Sequence, residues 1–166
     1  MESINIDSLQ KKADTLRLAT LNLCIGAEKG HVTSAFSCAE ILIALYYGNV
    51  LRYDPKNPKW EDRDRLFISK GHASPLFYSI LADLGFIPAN YLNDFCKTDK
   101  LGVHLQSDVP GVENTAGSLG HGLGIATGMA LAGKLDRKNY YTFVPSAIPI
   151  QFLSHDLSSI FFTCEI

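Results

Sequence analysis

Four of the five histidines lie beside or close to a glycine, and both residue types are suited to ligand binding and proton transfer. An imidazole supplies a donor, an acceptor or a proton relay near neutral pH, while glycine lets the backbone approach a ligand closely. A single histidine at a turn is as often a packed or capping residue as a functional one. Because the pairing recurs, we expect a binding or catalytic site. The pairs are Gly30-His31, Gly71-His72, Gly102-Val-His104 and Gly120-His121-Gly122.

The segment from Asn114 to Ala132 contains five glycines in a sequence that otherwise favours a helix. Each glycine inside a helix costs about 0.5–1 kcal/mol relative to alanine, so their number needs a physical reason. We expect the first three to let an anionic ligand approach the free amides and dipole of a helix N-terminus. These glycines are Gly117, Gly120 and Gly122.

The second half of the same segment has a different explanation. Gly124, Gly128 and Ala132 recur every four residues, and such a row of small residues allows another helix to pack closely. The segment matches neither the Walker A phosphate loop nor the Rossmann fingerprint, so by itself it is weak evidence for phosphate binding.

Sequence periodicity predicts the elements that must position these residues. Apolar residues recur at helical spacing from Asp7 to Ala27, with Asp7 as the expected N-cap. A capping box over Ser37–Glu40 predicts a second helix that ends near Gly48. Residues 53–65 carry two prolines and many charges and are expected to form a surface connection.

Two short apolar runs predict the strands of a sheet. Leu66–Ser69 is followed by a glycine turn and by a helix over 73–84 that ends at Gly85. The alternation of elements predicts an α/β fold, with a parallel sheet and flanking helices, whose ligands lie at strand carboxyl ends and helix N-termini. The remaining elements are a short helix over 90–96, a long loop over 97–113, a helix over 119–135 and a buried strand over 140–144.

Composition limits the function classes. The chain of 166 residues suits one domain, and 15 Lys+Arg against 17 Asp+Glu with no basic cluster predicts neither a nucleic-acid partner nor a membrane surface. The four scattered cysteines suit a reducing cytoplasm and no zinc site. No signal peptide is recognised at the start, and the most apolar run, Ile41–Tyr47, is too short to span a bilayer.

Several motifs occur together in one order along the chain. They are Lys29-Gly-His31, Ala39-Glu-Ile-Leu42, Asp62-Arg-Asp-Arg65, Ile68-Ser-Lys-Gly-His72, Gly102-Val-His104, Pro110-Gly-Val-Glu113 and Gly117-Ser-Leu-Gly-His-Gly122. In order and spacing they resemble transketolase, and most closely the N-terminal, diphosphate-binding half of a split, two-subunit transketolase. The resemblance covers residues 8–144 and implies part of a thiamine diphosphate-binding (PP-type) α/β fold.

The resemblance implies thiamine diphosphate, a divalent cation, and transfer of a two-carbon ketol unit between sugar phosphates. It makes His31, His72 and His104 active-site histidines that contact the donor sugar and the cofactor and assist proton transfer. His121 stands where many full-length members carry glutamine, and Val32-Thr33 replace the usual Pro-Gly after the first histidine. The residues expected to hold the cofactor's pyrimidine and diphosphate are Gly117, Ser118, Leu119, Gly120 and His121.

The resemblance also implies a partner chain. In two-chain members a C-terminal subunit contributes the glutamate that activates the aminopyrimidine, so this chain is expected to be inactive alone. A site shared between subunits predicts a homo- or hetero-oligomer.

The metal-binding segment of the family is missing after the strand predicted at 140–144. In the family this strand leads to a Gly-Asp-Gly turn, and a later asparagine completes the site, because Mg²⁺ or Ca²⁺ needs hard oxygen ligands against the diphosphate. Here the chain continues as Val144-Pro-Ser-Ala-Ile-Pro-Ile-Gln151. We therefore assign no metal ligand in this chain.

Composition changes at the same point. Residues 145–166 contain no glycine, lysine or arginine, although residues 1–144 contain all 13 glycines and all 15 basic residues. We interpret 1–144 as the N-terminal part of the transketolase domain and 145–166 as an atypical apolar tail from a shifted reading frame or premature end. A genuine, divergent domain end is the alternative. The tail is expected either to cover the edge of the strand at 140–144 or to drive association.

Two classes of function remain open from the residues. The first is a transketolase N-terminal subunit, and the second is a truncated, non-catalytic fragment that keeps the fold but binds no metal. Another thiamine diphosphate enzyme, such as deoxyxylulose phosphate synthase, shares the glycine–histidine elements but fits residues 62–72 and 118–122 less well.

Overall fold

The computed structural model describes residues 5–145 and the backbone of residues 151–153. Within these ranges no helix is both long enough and apolar enough to cross a membrane. The helices are α1 Ile6–Ala27, α2 Val32–Phe36, α3 Ala39–Tyr47, α4 Ser74–Leu84 and α5 His121–Leu135, with 3₁₀ turns at Gly71–Ala73 and Ala89–Asp94. The strands are β1 Arg65–Leu66, β2 Thr142–Val144 and β3 Gln151–Leu153.

Helix α1 has the predicted extent but a different N-cap. Asn5 has extended backbone angles, and its side-chain oxygen accepts a hydrogen bond from the Ser8 amide at 3.2 Å. Asp7 lies inside the first turn, because Ile6 is already helical, so its carboxylate favours the helix through the dipole and not through a cap. The predicted cap at Asp7 is therefore wrong, and the polar residue two positions earlier takes that role.

The predicted capping box at Ser37–Glu40 is also wrong. Residues just before it form the short helix α2, so Ser37 ends that helix, and its hydroxyl donates to the Ser34 carbonyl at 3.0 Å. The Glu40 carboxylate pairs with Arg17 of α1. Helix α3 begins at Ala39 without a side-chain cap and ends at Gly48 as predicted.

The sheet has β2 at its centre. Strand β1 pairs with it in parallel, with Leu66 opposite Phe143, and β3 pairs with its other edge in antiparallel register, with Phe152 opposite Phe143. Strand β1 is shorter than predicted, but the amides of Phe67 and Ser69 continue the parallel bonding at 2.9 Å. The predicted α/β fold with a parallel pair is confirmed. Strand β3 confirms that part of the tail covers the strand edge, and residues 146–150 and 154–166 lie outside the described residues.

Helix α4 is the centre of the core. All residues from Ser74 to Leu81 are buried, because the helix packs against α1 and α2, and Gly85 ends it in a left-handed conformation as predicted. The α4 side chains of Phe77 and Ile80 share the core with side chains from other elements, including Leu42, Ile43, Ile68 and Leu105.

A buried carboxylate joins the connection after α3 to the sheet. The Asp64 side chain accepts hydrogen bonds from the Arg52 amide at 2.9 Å, from the Arg52 guanidinium at 2.7 Å and from the Tyr141 amide at 2.8 Å. Residues 53–65 were predicted to be a surface connection, but its last two residues, Asp64 and Arg65, are buried. The charge pattern does not predict this burial, because alternating charges are usual on an exposed loop.

Candidate functional site

The turn after β1 places His72 beside the glycine-rich segment. Gly71 is buried against Ala116: a Cβ at Gly71 would overlap the Ala116 carbonyl oxygen and lie 2.7 Å from the carbonyl carbon. Only glycine allows this approach of two backbones. The turn therefore holds the residue before His72 against Ala116, five residues before the start of α5.

The N-terminus of α5 is docked on the end of β1. Ser69, which is fully buried, accepts the Gly120 amide at its carbonyl (3.2 Å) and the Gly122 amide at its hydroxyl (3.0 Å). A Cβ at Gly122 would lie 2.8 Å from the Ser69 Cα, so this glycine serves close packing. The sequence analysis assigns no role to Ser69. The only sequence signal for such a role is the position of this serine at the end of a predicted strand, just before a glycine turn.

The predicted roles of the α5 glycines are partly reversed. Gly122 packs against the sheet instead of leaving space for a ligand. Gly124, Gly128 and Ala132, predicted to pack against a helix, are exposed, and a Cβ at either of these glycines would meet nothing within 4 Å among the described residues. The four-residue repeat could not distinguish these outcomes, because the partner of each face is set by the tertiary fold.

Helix α4 fixes the backbone at His104 through two side-chain hydrogen bonds. The Ser74 hydroxyl donates to the Val103 carbonyl at 2.6 Å, and the Tyr78 hydroxyl donates to the His104 carbonyl at 3.1 Å. The Nε2 atom of His104 is buried and has no hydrogen-bond partner in the described part of the chain. The loop over 97–113 is thus irregular, as predicted, but its histidine is fixed.

His31 reaches the same region from the end of the first helix. It directly precedes α2, and the glycine before it, Gly30, has a φ of 127°. A Cβ at Gly30 would lie 2.5 Å from the Cys24 sulfur, so a side chain there would meet both strain and a clash. The glycine lets the chain turn sharply and leaves the His31 imidazole exposed to solvent.

Three imidazoles from these three segments meet. The ring centroids of His31 and His72 are 4.6 Å apart, those of His72 and His104 4.8 Å, and those of His31 and His104 6.0 Å. The predicted convergence is confirmed, while the role of each ring stays a prediction. His121 is the first residue of α5, is exposed, and does not belong to this cluster.

We expect the His72 imidazole to titrate at a lower pH than an exposed histidine. Its pKa is lowered first by partial burial, and then by His31, His104 and the Lys70 ammonium, which disfavour a further positive charge. Replacing His31 with glutamine should raise the pKa of His72 in an NMR titration of the ring protons. His121→Gln should leave it unchanged, and equal shifts in the two variants would contradict this explanation.

The lowered pKa also sets the direction of a pH effect on stability. In the unfolded chain the His72 imidazole has an ordinary pKa of about 6.5, above its value in the folded protein. Below about pH 6.5 the unfolded state binds more protons at this residue. Its contribution to stability therefore falls as the pH is lowered through the window between the two pKa values.

The segment before α5 presents unpaired backbone amides. Gly117, Ser118, Leu119 and His121 are exposed, and within the described ranges their amides donate no hydrogen bond. A Cβ at Gly117 would meet nothing within 4 Å. Open amides at the N-terminus of a 15-residue helix suit an anionic group such as a diphosphate.

Hard-metal ligands do not accompany these amides. Among residues 5–145 and 151–153, the three histidines are the only group of three or more His, Cys, Asp or Glu side chains placed to share one ion. In the sequence, Val144 of β2 is followed by Pro145 and not by the glycine and aspartate of the family turn. The site therefore fits the diphosphate better than it fits the cation.

A cavity of about 650 Å³ lies beside the loops around residues 56–63 and 107–113, and none of the clustered histidines lines it. Its wall includes Arg63 and Glu113, whose side chains form two hydrogen bonds of 3.1 and 2.9 Å. Burial raises the pKa of Glu113, while the guanidinium groups of Arg63 and Arg65 act in the opposite direction. Because these charges satisfy each other, the pair holds the two loops together.

Comparison with known proteins identifies the family. Residues 8–144 match the domain described as transketolase, thiamine diphosphate binding domain. The chain is 34% identical over 148 residues to one of the subunits of apulose-4-phosphate transketolase from Phocaeicola vulgatus, and the match spans 85% of this chain and 50% of that protein. It is 38% identical over 143 residues to 6-deoxy-6-sulfo-D-fructose transketolase subunit SqwG of Clostridium sp. strain MSTE9, spanning 82% and 50%. The chain thus spans about half the length of these curated relatives.

Solved structures of transketolases superpose on most of this chain. Transketolase from Campylobacter jejuni superposes with a TM-score of 0.74 at 38% identity, covering 80% of this chain and 21% of that one. Transketolase from Leishmania mexicana gives a TM-score of 0.74 at 29% identity, covering 82% and 22%. These likenesses support the predicted partial PP-type fold.

Proposed function

Because the chain belongs to the transketolase thiamine diphosphate-binding domain family, we propose that it is the diphosphate-binding half of a two-chain transketolase, transferring a two-carbon ketol unit between sugar phosphates. The observation that carries the proposal is the meeting of three imidazoles, one of which follows the glycine packed against Ala116, where the stretch of open backbone amides begins. The imidazoles are suited to bind sugar hydroxyls, and the open amides are suited to bind a diphosphate.

The histidines bind and move protons in this proposal. Imidazoles of His31, His72 and His104 hydrogen-bond the hydroxyls of the donor sugar and accept or return protons as its carbon–carbon bond breaks. The lowered pKa of His72 favours the neutral form of this ring, which can accept a proton. Thiamine diphosphate, when bound, supplies the carbon nucleophile and the electron sink for this cleavage.

The glycine-rich segment orients the cofactor in the same proposal. Amides of Gly117, Ser118 and Leu119 would hold the diphosphate and pyrimidine side, together with Gly120 and His121 at the start of α5. The Gly120 amide already donates to Ser69, so it contributes by shaping the turn and leaves the other amides to bind. Ser69 positions this segment through the two hydrogen bonds that it accepts from α5.

Catalysis requires a second chain in this proposal. Both curated relatives are named as subunits of a transketolase, and the Gly-Asp-Gly turn of the family is absent after β2 of this chain. A C-terminal transketolase subunit would supply the glutamate that activates the aminopyrimidine, in a cytoplasmic hetero-oligomer. The non-catalytic alternative is favoured by the same missing turn, because a diphosphate without its cation binds poorly.

Calorimetry with thiamine diphosphate and Mg²⁺, with and without a C-terminal subunit, separates the two functions. Metal-dependent micromolar binding and ketol transfer in the two-chain mixture support the enzyme. Absence of binding in both samples supports the non-catalytic fragment. Product analysis with glyceraldehyde phosphate and pyruvate as substrates tests the third alternative, a deoxyxylulose phosphate synthase.

Replacing Gly117 with alanine is expected to weaken thiamine diphosphate binding by about tenfold, or 1.4 kcal/mol, because a methyl group would occupy the open face of the amides. The fold has room for this methyl group, so the free energy of unfolding should change by less than about 0.5 kcal/mol. Calorimetry of the two-chain complex measures the affinity.

Gly128→Ala is the matched control for this substitution. A methyl group at Gly128 would also meet none of the described residues within 4 Å, but this residue lies in the second half of α5. Alanine there should leave cofactor affinity unchanged and stabilise the helix by about 0.5–1 kcal/mol. Equal affinities for the two variants would place the cofactor elsewhere.

A further inference from the structure

We propose that the cluster of His31, His72 and His104 binds one transition-metal cation, such as Zn²⁺, independently of the hard cation that accompanies a diphosphate. One ring nitrogen from each histidine lies within 4.8 Å of the others. The three come from separate segments: the start of α2, the turn after β1 and the loop held by α4. A bound ion would therefore tie three parts of the chain together, and it would compete with the donor sugar of the proposed function for these imidazoles.

The donor set selects the class of metal. Neutral imidazoles suit Zn²⁺, Cu²⁺ and Ni²⁺, whereas Mg²⁺ and Ca²⁺ require oxygen ligands. Three histidines with an open fourth position form a known type of zinc coordination. No carboxylate joins this cluster in the described ranges, so a hard cation has nothing to bind there.

The geometry requires only a small closure. Bonds of about 2.0–2.1 Å in tetrahedral geometry place ligand nitrogens roughly 3.4 Å apart, so the rings must move inward by about an ångström. The His31 side chain is exposed and the other two are partly buried, so rotation of the His31 ring provides most of this movement.

The unpaired nitrogen of His104 favours an ion at this position. Its Nε2 atom is buried without a hydrogen-bond partner in the described part of the chain, and such an atom is costly in a folded protein. Coordination would satisfy it. The Lys70 ammonium opposes a cation here, since it is the charged side chain that acts on His72, but its Nζ atom donates to the Ser37 hydroxyl.

Titration of the metal-free chain with Zn²⁺, followed by calorimetry and thermal unfolding, tests the site. We expect one ion per chain and a rise in Tm, with no response to Mg²⁺. Glutamine at His31, at His72 or at His104 should weaken binding at least tenfold. His121→Gln should retain the affinity of the unaltered chain, because this histidine lies outside the cluster.

Co²⁺ spectra distinguish the histidines from other ligands. Tetrahedral d–d bands without a sulfur-to-metal charge-transfer band support the cluster. A charge-transfer band would overturn the proposal by assigning the ion to a thiol, since Cys24, Cys38 and Cys96 are free. Undiminished Zn²⁺ binding by His31→Gln, an exposed position where folding is preserved, would also overturn it. These readouts use the chain alone, so they do not depend on transketolase activity.

Discussion

Replacing Asp64 with alanine should destabilise the protein by about 2–4 kcal/mol, a large part of the 5–15 kcal/mol typical of a folded domain. The Asp64 side chain is fully buried and paired with the Arg52 guanidinium. It also accepts the backbone amides of Arg52 and Tyr141, so it joins the loop after α3 to the residue that leads into β2. Removing it takes this acceptor from the two amides, whereas the partly exposed Arg52 guanidinium keeps its hydrogen bond to the Asn139 carbonyl.

Urea unfolding followed by circular dichroism measures this loss. The midpoint should fall while the slope with denaturant stays constant, because the folded structure exposes no more surface. The urea midpoint of the Asp64→Asn variant, whose side chain keeps one carbonyl oxygen, should lie between that of the alanine variant and that of the unaltered protein. Asp62→Ala is the control, since Asp62 is exposed two residues earlier and should change stability by less than about 0.5 kcal/mol. A small effect at both positions would show that the buried pair contributes little.

Replacing Gly71 with alanine should destabilise the protein by about 1–3 kcal/mol, because the added methyl group collides with backbone and not with a mobile side chain. The Ala116 carbonyl must move away, and it belongs to the segment that leads to the open amides before α5. We therefore expect weaker thiamine diphosphate binding in the two-chain complex as well as a lower Tm.

The matched control is the same substitution at Gly26. This glycine lies inside α1, and in the described part of the chain a Cβ there would meet nothing within 4 Å, so alanine should stabilise the helix by about 0.5–1 kcal/mol. Opposite signs at the two positions would confirm that close backbone approach, and not glycine flexibility, explains Gly71. Destabilisation of equal size at Gly26 would contradict the explanation.

Local signals in the sequence predicted the elements that surround the site. The helix predicted over 73–84 and its end at Gly85 followed from apolar periodicity and a terminal glycine, and in the structure this helix begins one residue later, at Ser74. The long loop over 97–113 and the strand at 140–144 were also predicted, the strand two residues too long at its start. Such features depend on neighbours in the chain, so they can be read without knowing the fold.

Features that depend on distant neighbours were predicted poorly. The Ser37–Glu40 motif is a good capping box in isolation, but Ser37 already ends α2, and Glu40 finds Arg17 on another helix. From the sequence, Asp64 is one more charge on an expected surface loop. In the structure it accepts a hydrogen bond from the Tyr141 amide, 77 residues away. No short window of sequence contains that information.

By itself, the sequence determined the order of elements, the family and the set of histidines placed beside glycines, because these properties depend on residue type and spacing. Only the tertiary structure decided that three of those imidazoles share one site and that Gly122 packs on Ser69 while Gly124 and Gly128 face outward. The physical reason is that ring contacts and backbone close approach arise between segments joined by β1, α4 and α5, and their distances are set by core packing rather than by position along the chain.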